Sequence, residues 1–208
     1  MSRRIWDISQ LLGPELPVWP GDTAFRQEGT WKMREGSPVN VSAITMSTHS
    51  GAHADAPLHY SETAPDIATV DLEPYLGECL VIDARGVGAL IGVEDLPHLR
   101  SADRVLFRTF ERFPHEKWDD ATTAIAPETI EWLAVQGVKL VGIDGPSIDP
   151  QDSKTMEAHK TVLKHDLRVL EGLVLDDVPE GRYELIALPL PIAGGDASPV
   201  RAVLRELA

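Results

Sequence analysis

The sequence predicts an α/β domain in which a mixed β-sheet core is flanked by a few helices. Short runs rich in Val, Ile and Leu recur between turn residues, and such runs are typical of buried strands. Few segments carry helix start and stop signals, which favours an irregular α/β or α+β arrangement over a regular doubly wound sheet. A length of 208 residues suffices for one domain with a full hydrophobic core. We therefore expect residues 1–208 to form a single domain.

The first predicted elements lie in the N-terminal quarter of the chain. Residues 11–22 are rich in Pro and Gly, which predicts an irregular but ordered loop. Residues 39–46 alternate apolar and polar side chains, the pattern of a half-buried strand. That strand leads directly into a cluster of histidines. Four further strands are predicted from short apolar runs at 78–83, 104–109, 139–143 and 183–188.

One clear helix is predicted at 127–136. Pro127 suits its first turn, because the N–H that proline lacks would have no helical partner there. Glu128 and Glu131 favour the positive N-terminal end of the helix. Gly137 is expected to end it.

Charge and composition exclude several classes of partner. The formal net charge is −14, with no local basic cluster, which argues against binding to nucleic acid or to anionic membranes. No stretch has the length of a membrane span, and no secretory signal is evident. The single cysteine, Cys79, lies in an apolar run and is predicted to be a buried strand residue. We expect a cytoplasmic protein that acts on a small molecule.

The most informative motif is the run 49–59, which holds three of the seven histidines and one aspartate. Imidazole nitrogen and carboxylate oxygen are ligands that suit Zn²⁺, Mn²⁺ and similar ions. The spacing of His49, His53 and Asp55 fits neither a helix nor a strand, so we place them on a loop. Gly51 allows a close backbone approach or a positive φ there. A polar surface loop with unrelated histidines is the alternative interpretation.

A second segment, 153–172, offers further ligands from a distance. Its candidates are His159, His165, Asp166 and Glu171. Folding often completes a metal site by bringing one tight cluster and one distant segment together. Residue chemistry alone leaves the choice between His159 and His165 open.

The histidine run resembles the HxGTHxDxPxH signature of the cyclase family of metal-dependent hydrolases. The resemblance extends nearly end to end, through the segments 6–9, 18–22, 142–150 and 153–155 and on to His159 and Glu171. The segments at 18–22 and 147–150 favour the formamidase branch of that family. Ala52 and Gly145 stand where the family leads us to expect threonine. The resemblance implies a swivelling β/β/α fold.

The resemblance also implies the metal ligands. His49, His53 and Asp55 would hold one divalent ion, and Asp55, His159 and Glu171 would hold a second. Five side chains can give two ions about four ligands each only if carboxylates are shared or water completes the sites. The expected cofactors are two divalent ions. Zinc is the first choice of metal, with manganese or cobalt as alternatives. His165 then lies at the surface or behind the ligands.

The implied reaction is the hydrolysis of N-formyl-L-kynurenine to L-kynurenine and formate by a homodimer. His59 would move the proton between water and the leaving arylamine, with a role as a metal ligand as its alternative. Trp19 would contact the aryl ring of the substrate, with a place in the core as its alternative. No comparable role is indicated for the other tryptophans, Trp6, Trp31, Trp118 and Trp132.

Two other functions compete with this interpretation. A hydrolase of the same family that opens a cyclic amide such as isatin with Mn²⁺ would keep the same ligands and differ in its pocket. A non-catalytic metal-binding protein would need no extra base, so His59 argues against it.

Overall fold

A computed structural model of the chain describes residues 3–96 and 102–208. Thirteen strands and two α-helices are present in these residues, together with short 3-10 turns. The strands are β1 (Ile5–Asp7), β2 (Arg26–Trp31), β3 (Val41–Thr45), β4 (His53–Asp55), β5 (Leu76–Asp83), β6 (Leu90–Ile91), β7 (Arg104–Arg108), β8 (Ala124–Ile125), β9 (Leu140–Ile143), β10 (Arg168–Glu171), β11 (Gly181–Ile186), β12 (Ala197–Pro199) and β13 (Val203–Arg205). The helices are α1 (Pro127–Val135) and α2 (Glu157–Lys164).

Nine of the strands form one mixed sheet in the order β1-β13-β11-β5-β7-β9-β10-β4-β12. The central strands β5, β7, β9 and β10 are parallel to one another, and the outer pairs are antiparallel. This architecture confirms the predicted α/β class with a mixed sheet. Strands covered on both faces read as continuous apolar runs, which is why the central ones were recognisable in the sequence.

Hydrophobic side chains cover both faces of the sheet. Along β7, Leu106 belongs to one buried cluster, whereas Val105 and Phe107 belong to the other. The two clusters therefore lie on opposite faces, as the alternation of side chains along a strand requires. Both helices pack on the face that carries Val105, through residues such as Ile130 of α1 and Val162 of α2.

The predicted strands and the predicted helix are confirmed, with bounds that differ by a few residues. Helix α1 begins at Pro127 and is followed by Gly137 with φ +89°. The predicted loop at 11–22 contains neither a helix nor a strand. It closes a tight turn in which the N–H of Asp22 donates to the carbonyl of Trp19 over 2.9 Å.

The placement of the histidine run on a loop was wrong for two of its residues. His53 and Asp55 lie on strand β4, which pairs with β10 on one side and β12 on the other. Alternation along this strand sends both side chains to one face and Ala54 to the other. Three residues are too few for periodicity to reveal a strand. His49 lies in the turn before β4, as expected.

Strands β2 and β3 form a separate antiparallel hairpin whose residues are all exposed. Strand β3 was expected to be half-buried. That part of the prediction was wrong, because all five residues of β3 are exposed in the single chain. The exposed apolar side chains of the hairpin region are Trp31, Met33, Val39, Val41 and Ile44. An isolated two-stranded hairpin is marginally stable in water at best.

Two predictions from composition can also be compared with the structure. Cys79 is fully buried on β5, and burial raises the pKa of its thiol to about 12. It therefore behaves as a small core residue, as predicted. Among the described residues, no helix has both the length and the apolar character needed to cross a membrane.

Candidate metal centre

The five predicted metal ligands meet at one place, although four different parts of the fold supply them. Strand β4 carries His53 and Asp55, and the turn before it carries His49. In the antiparallel register of β4 with β10, Glu171 pairs directly with His53. Helix α2 packs over this face of the sheet and adds His159, which is 1% exposed.

Two glycines allow the turn and the end of β10 to approach closely. Gly172 follows Glu171 with φ +64°, and a Cβ at this position would lie 2.5 Å from the carbonyl oxygen of Gly51. Gly51 itself has φ +69° and a comparably tight contact with Leu12. The side-chain amide of Gln10 donates to the carbonyl of Gly172 over 2.9 Å and holds the arrangement. Residues with a side chain at either glycine would push the ligands apart.

The polar atoms of the five side chains lie close together. Asp55 Oδ1 is 3.2 Å from His49 Nδ1 and 3.6 Å from His53 Nε2. Asp55 Oδ2 is 3.2 Å from His159 Nε2. Glu171 completes the cluster, with Oε2 3.3 Å from His53 Nε2 and Oε1 3.4 Å from His159 Nε2.

These distances fit the ligands of a divalent ion. Two atoms that each bind a tetrahedral ion at about 2.1 Å lie about 3.4 Å apart. In addition, His53 Nε2 and Asp55 Oδ1 are buried without a hydrogen-bond partner in the structure. Buried polar atoms are normally satisfied. The unsatisfied pair therefore indicates that the cluster is built for a cation.

The cluster has two overlapping groups of metal-binding geometry, and both contain Asp55. One consists of His53, Asp55 and Glu171, and the other of His49, Asp55 and His59. His159 contacts Asp55 and Glu171, the two carboxylates that can bridge ions. The structure thus brings all five predicted ligands together and also places His59 beside them.

Hydrogen bonds fix the orientation of the buried imidazoles. Asp149 Oδ2 lies 2.6 Å from His159 Nδ1, and Asp149 also accepts the backbone N–H groups of Ala158 and His159. His53 Nδ1 is 2.9 Å from the carbonyl oxygen of Gly51, to which it donates. In both rings Nε2 is left to face the cluster, the usual arrangement behind a metal-binding histidine.

Opposing forces set the ionisation of the metal-free cluster. Burial would raise the pKa of Asp55, but the hydrogen bond with His159 and the nearby imidazoles of His49 and His53 hold it well below its usual value. Burial would lower the pKa of His49, but Asp55 and Asp196 outweigh it and raise that pKa to about 9. Burial and Asp55 oppose ionisation of Glu171, yet the adjacent imidazoles of His159 and His53 leave its pKa lowered. A metal ion must therefore displace protons when it binds.

His59 stands at the edge of the cluster, on the turn Pro57–His59. Its ring centroid is 4.2 Å from that of His49, and burial lowers its pKa. Asp196 Oδ2 lies 3.7 Å from His59 Nδ1 and 3.2 Å from His49 Nε2. The hydroxyl of Thr48 donates to the other oxygen of Asp196. Nothing in the sequence had singled out Asp196.

His165 does not belong to the cluster. Its Nε2 lies 3.6 Å from Glu131 on the neighbouring helix α1. Asp166 is turned outward and forms an ion pair with Arg168. Of the two histidines of the second segment, the structure brings His159 into the cluster and leaves His165 outside it.

The cluster opens into a cavity of about 570 Å³. Aromatic side chains form much of its wall: Trp19, Phe110, Phe113 and Trp118. The rings of Trp19 and Trp118 meet edge to face, with centroids 5.3 Å apart and planes at 72°. Trp19 is 37% exposed, so it lines the cavity and is not a core residue. Trp118, for which the sequence indicated no comparable role, lines the same cavity; sequence spacing cannot show that distant residues share a wall.

Known proteins resemble this chain over most of its length. The Cyclase family model matches residues 6–150. A kynurenine formamidase from Erythrobacter litoralis is 68% identical over 206 residues, which cover 99% of this chain and 95% of the relative. The structure of a potential metal-dependent hydrolase with cyclase activity has a TM-score of 0.87 at 30% identity, with full coverage of both chains. Isatin hydrolase A from Ralstonia solanacearum has a TM-score of 0.84 at 25% identity, covering 99% of this chain and 92% of its own.

Proposed function

Because the chain belongs to the Cyclase family, we propose that it is a metal-dependent arylformamidase. It hydrolyses N-formyl-L-kynurenine to L-kynurenine and formate in the catabolism of tryptophan. The observation that carries this proposal is the opening of a buried His and carboxylate cluster into an aromatic cavity. Identity supports the choice of substrate, since the formamidase relative is 68% identical and the isatin hydrolase 25%.

We assign two divalent ions to the cluster. His49, His53 and Asp55 would hold one ion, and Asp55, His159 and Glu171 the other. The contacts of Asp55 with three different histidines suit a shared carboxylate. Zinc suits the mixed imidazole and carboxylate set, and manganese and cobalt fit the same donors. When bound, such ions polarise a carbonyl group and lower the pKa of water.

His59 supplies the proton chemistry that the reaction needs. The leaving group is an arylamine, which must gain a proton as the C–N bond breaks. With Nδ1 beside Asp196, His59 keeps Nε2 free to take a proton from water and pass it to the leaving nitrogen. Burial lowers the pKa of His59, which favours the neutral form that accepts a proton.

The cavity wall selects the aryl part of the substrate. Trp19 presents an indole ring from the turn at 19–22, and that ring contacts Trp118. Packing an aryl ring against such a side chain contributes about 0.5–1.5 kcal/mol beyond area burial. The formyl group is small, so its carbon can reach the buried cluster without a wide entrance.

We also propose that the enzyme is a cytoplasmic homodimer in which the hairpin of β2 and β3 contacts the second subunit. The hairpin exposes Trp31, Val41 and Ile44 and has no cover in its own chain among the described residues. A second copy would bury these apolar side chains. Sedimentation at enzyme concentrations used in assays measures the oligomeric state, and replacing Trp31 and Ile44 by serine should shift it toward the monomer.

A substrate panel tests the proposed reaction. Metal-loaded protein is assayed with N-formyl-L-kynurenine, isatin and a simple aryl ester, and kcat/KM is compared because it reports transition-state stabilisation directly. We expect N-formyl-L-kynurenine to be turned over far better than the other two. A tenfold or greater preference for isatin would keep the family and overturn the substrate.

A further inference from the structure

One wall of the cavity carries a cation that the metal centre does not use. Lys117 is the only lysine or arginine among the described residues that line the cavity. It has no ion-pair partner in the described part of the chain. In a chain of net charge −14, an unpaired cation at an aromatic cavity is a selective feature for an anionic group.

The neighbouring residue fixes this part of the wall in place. Trp118 donates its indole N–H to Gln151 Oε1 over 2.8 Å, and Gln151 donates in turn to Asp120 over 3.0 Å. The ring of Trp118 also meets Trp19 edge to face. Together the two indoles form an aromatic corner, and Lys117 stands beside it in the sequence.

We propose that Lys117 and Trp118 form the subsite for the kynurenine part of the substrate. In it, Lys117 binds the α-carboxylate, and the aryl ring packs against the corner that Trp118 and Trp19 form. This inference rests on the proposed function. It assigns the recognition of the amino-acid end of the substrate to a residue outside the metal cluster.

The test compares two formamides that differ only at the amino-acid end. N-formyl-L-kynurenine carries the ammonium and carboxylate groups, whereas 2′-formamidoacetophenone keeps the aryl ketone and lacks both. Lys117→Met should raise KM for N-formyl-L-kynurenine by about fivefold, the effect of losing one exposed ion pair, and leave KM for the truncated substrate unchanged. Lys164→Met, which removes an exposed lysine on α2 that does not line the cavity, is the control and should change neither value.

Trp118 is tested with the same two substrates. Trp118→Leu should lower kcat/KM for both by about tenfold, because both contain the aryl ring. Trp118→Phe keeps an aromatic ring but cannot donate to Gln151, so it should restore most of the loss if the ring contacts the substrate and little of it if Trp118 acts only through that hydrogen bond. Trp132→Leu, on helix α1, controls for the loss of an indole outside the cavity.

The outcomes separate this inference from the proposed function. If the wild-type protein hydrolyses neither formamide, the proposed function fails. If the wild type is active and Lys117→Met affects both formamides equally, or neither, Lys117 does not bind the carboxylate. If Trp118→Leu leaves kcat/KM unchanged for both, or if phenylalanine does not rescue it, Trp118 is not part of the aryl subsite.

Discussion

The floor of the cavity, which is the buried cluster of His49, His53, Asp55, His159 and Glu171, differs from its aromatic wall in burial, charge and rigidity. On the floor, the side chains of Asp55 and His159 are 0% and 1% exposed, and hydrogen bonds fix the direction of each buried ring. On the wall, Trp19 is 37% exposed and Lys117 is open to solvent. The floor contains buried charged groups that are stable only as pairs. The wall contains aromatic side chains and one unpaired cation, Lys117. This difference indicates that separate groups of residues serve the two needs of the proposed reaction: the floor would catalyse it, and the wall would select the substrate.

The energetic consequence is an unequal tolerance of change. Removing one partner from a buried charged pair costs about 3–5 kcal/mol, because the other charge is left uncompensated. A contact on an exposed wall contributes about 1.5 kcal/mol or less beyond the area it buries. Substitutions on the floor should therefore abolish function, and substitutions on the wall should tune it.

The largest effect is expected at Asp55, which lies in both of the overlapping groups with metal-binding geometry. Asp55→Asn should lose bound metal and reduce turnover to the uncatalysed background. Metal content by mass spectrometry and kcat are measured on the same sample. Asp71→Asn, at an exposed carboxylate, is the control and should keep both. Retained activity in Asp55→Asn would contradict the expectation that substitutions on the floor abolish function.

His59 should show the next largest effect, and a different kind. His59→Asn should lower kcat by about 10²-fold or more and leave metal content intact, as expected for a lost proton donor and acceptor. His115→Asn changes an exposed histidine outside the cluster and serves as the control. If metal content falls together with kcat, His59 is a ligand and the proton role belongs to another group.

Asp149 tests how the floor is held rigid. Asp149→Asn should weaken metal binding by about 10- to 100-fold, because the carboxylate that orients His159 Nδ1 is lost. The metal concentration that restores half of full activity measures the effect. Asp152→Asn, three residues further on and exposed, should bind metal normally. Unchanged metal affinity in Asp149→Asn would show that the packing of α2 alone positions His159.

Of these four sites, Trp19 should give the smallest effect, confined to substrate binding. Trp19→Ala should raise KM for aryl formamides by about tenfold with little change in kcat, the pattern of lost uniform binding. An unchanged KM together with a large fall in melting temperature would show that this indole supports the fold and does not contact the substrate.

The sequence identified the floor far better than the wall. The ligands share a specific motif, because few arrangements of histidine and carboxylate can hold an ion. Apolar runs likewise revealed the central strands, and Pro127 and Gly137 revealed the ends of α1. That residues 1–208 form one domain stays a prediction.

The features that the sequence did not predict depend on tertiary contacts between residues far apart in the chain, or on elements too short to show a pattern. Strand β4 is three residues long, too short for its alternation to be visible. Asp196 reaches His59 across more than 130 residues, and no local pattern reports such a contact. Trp118 meets Trp19 in the same way, through folding alone. The strand at 39–46 was predicted to be half-buried because its apolar and polar side chains alternate. In the structure, nothing in the described part of its own chain covers those apolar side chains.

The central claim is that the buried cluster makes the protein a metal-dependent formamidase. It is tested most directly by titrating metal-free protein with Zn²⁺ or Mn²⁺ and measuring kcat for N-formyl-L-kynurenine against the metal bound per chain. We predict no turnover without metal and a rise that saturates at two ions per chain. Full activity in exhaustively dialysed, metal-free protein would contradict the claim.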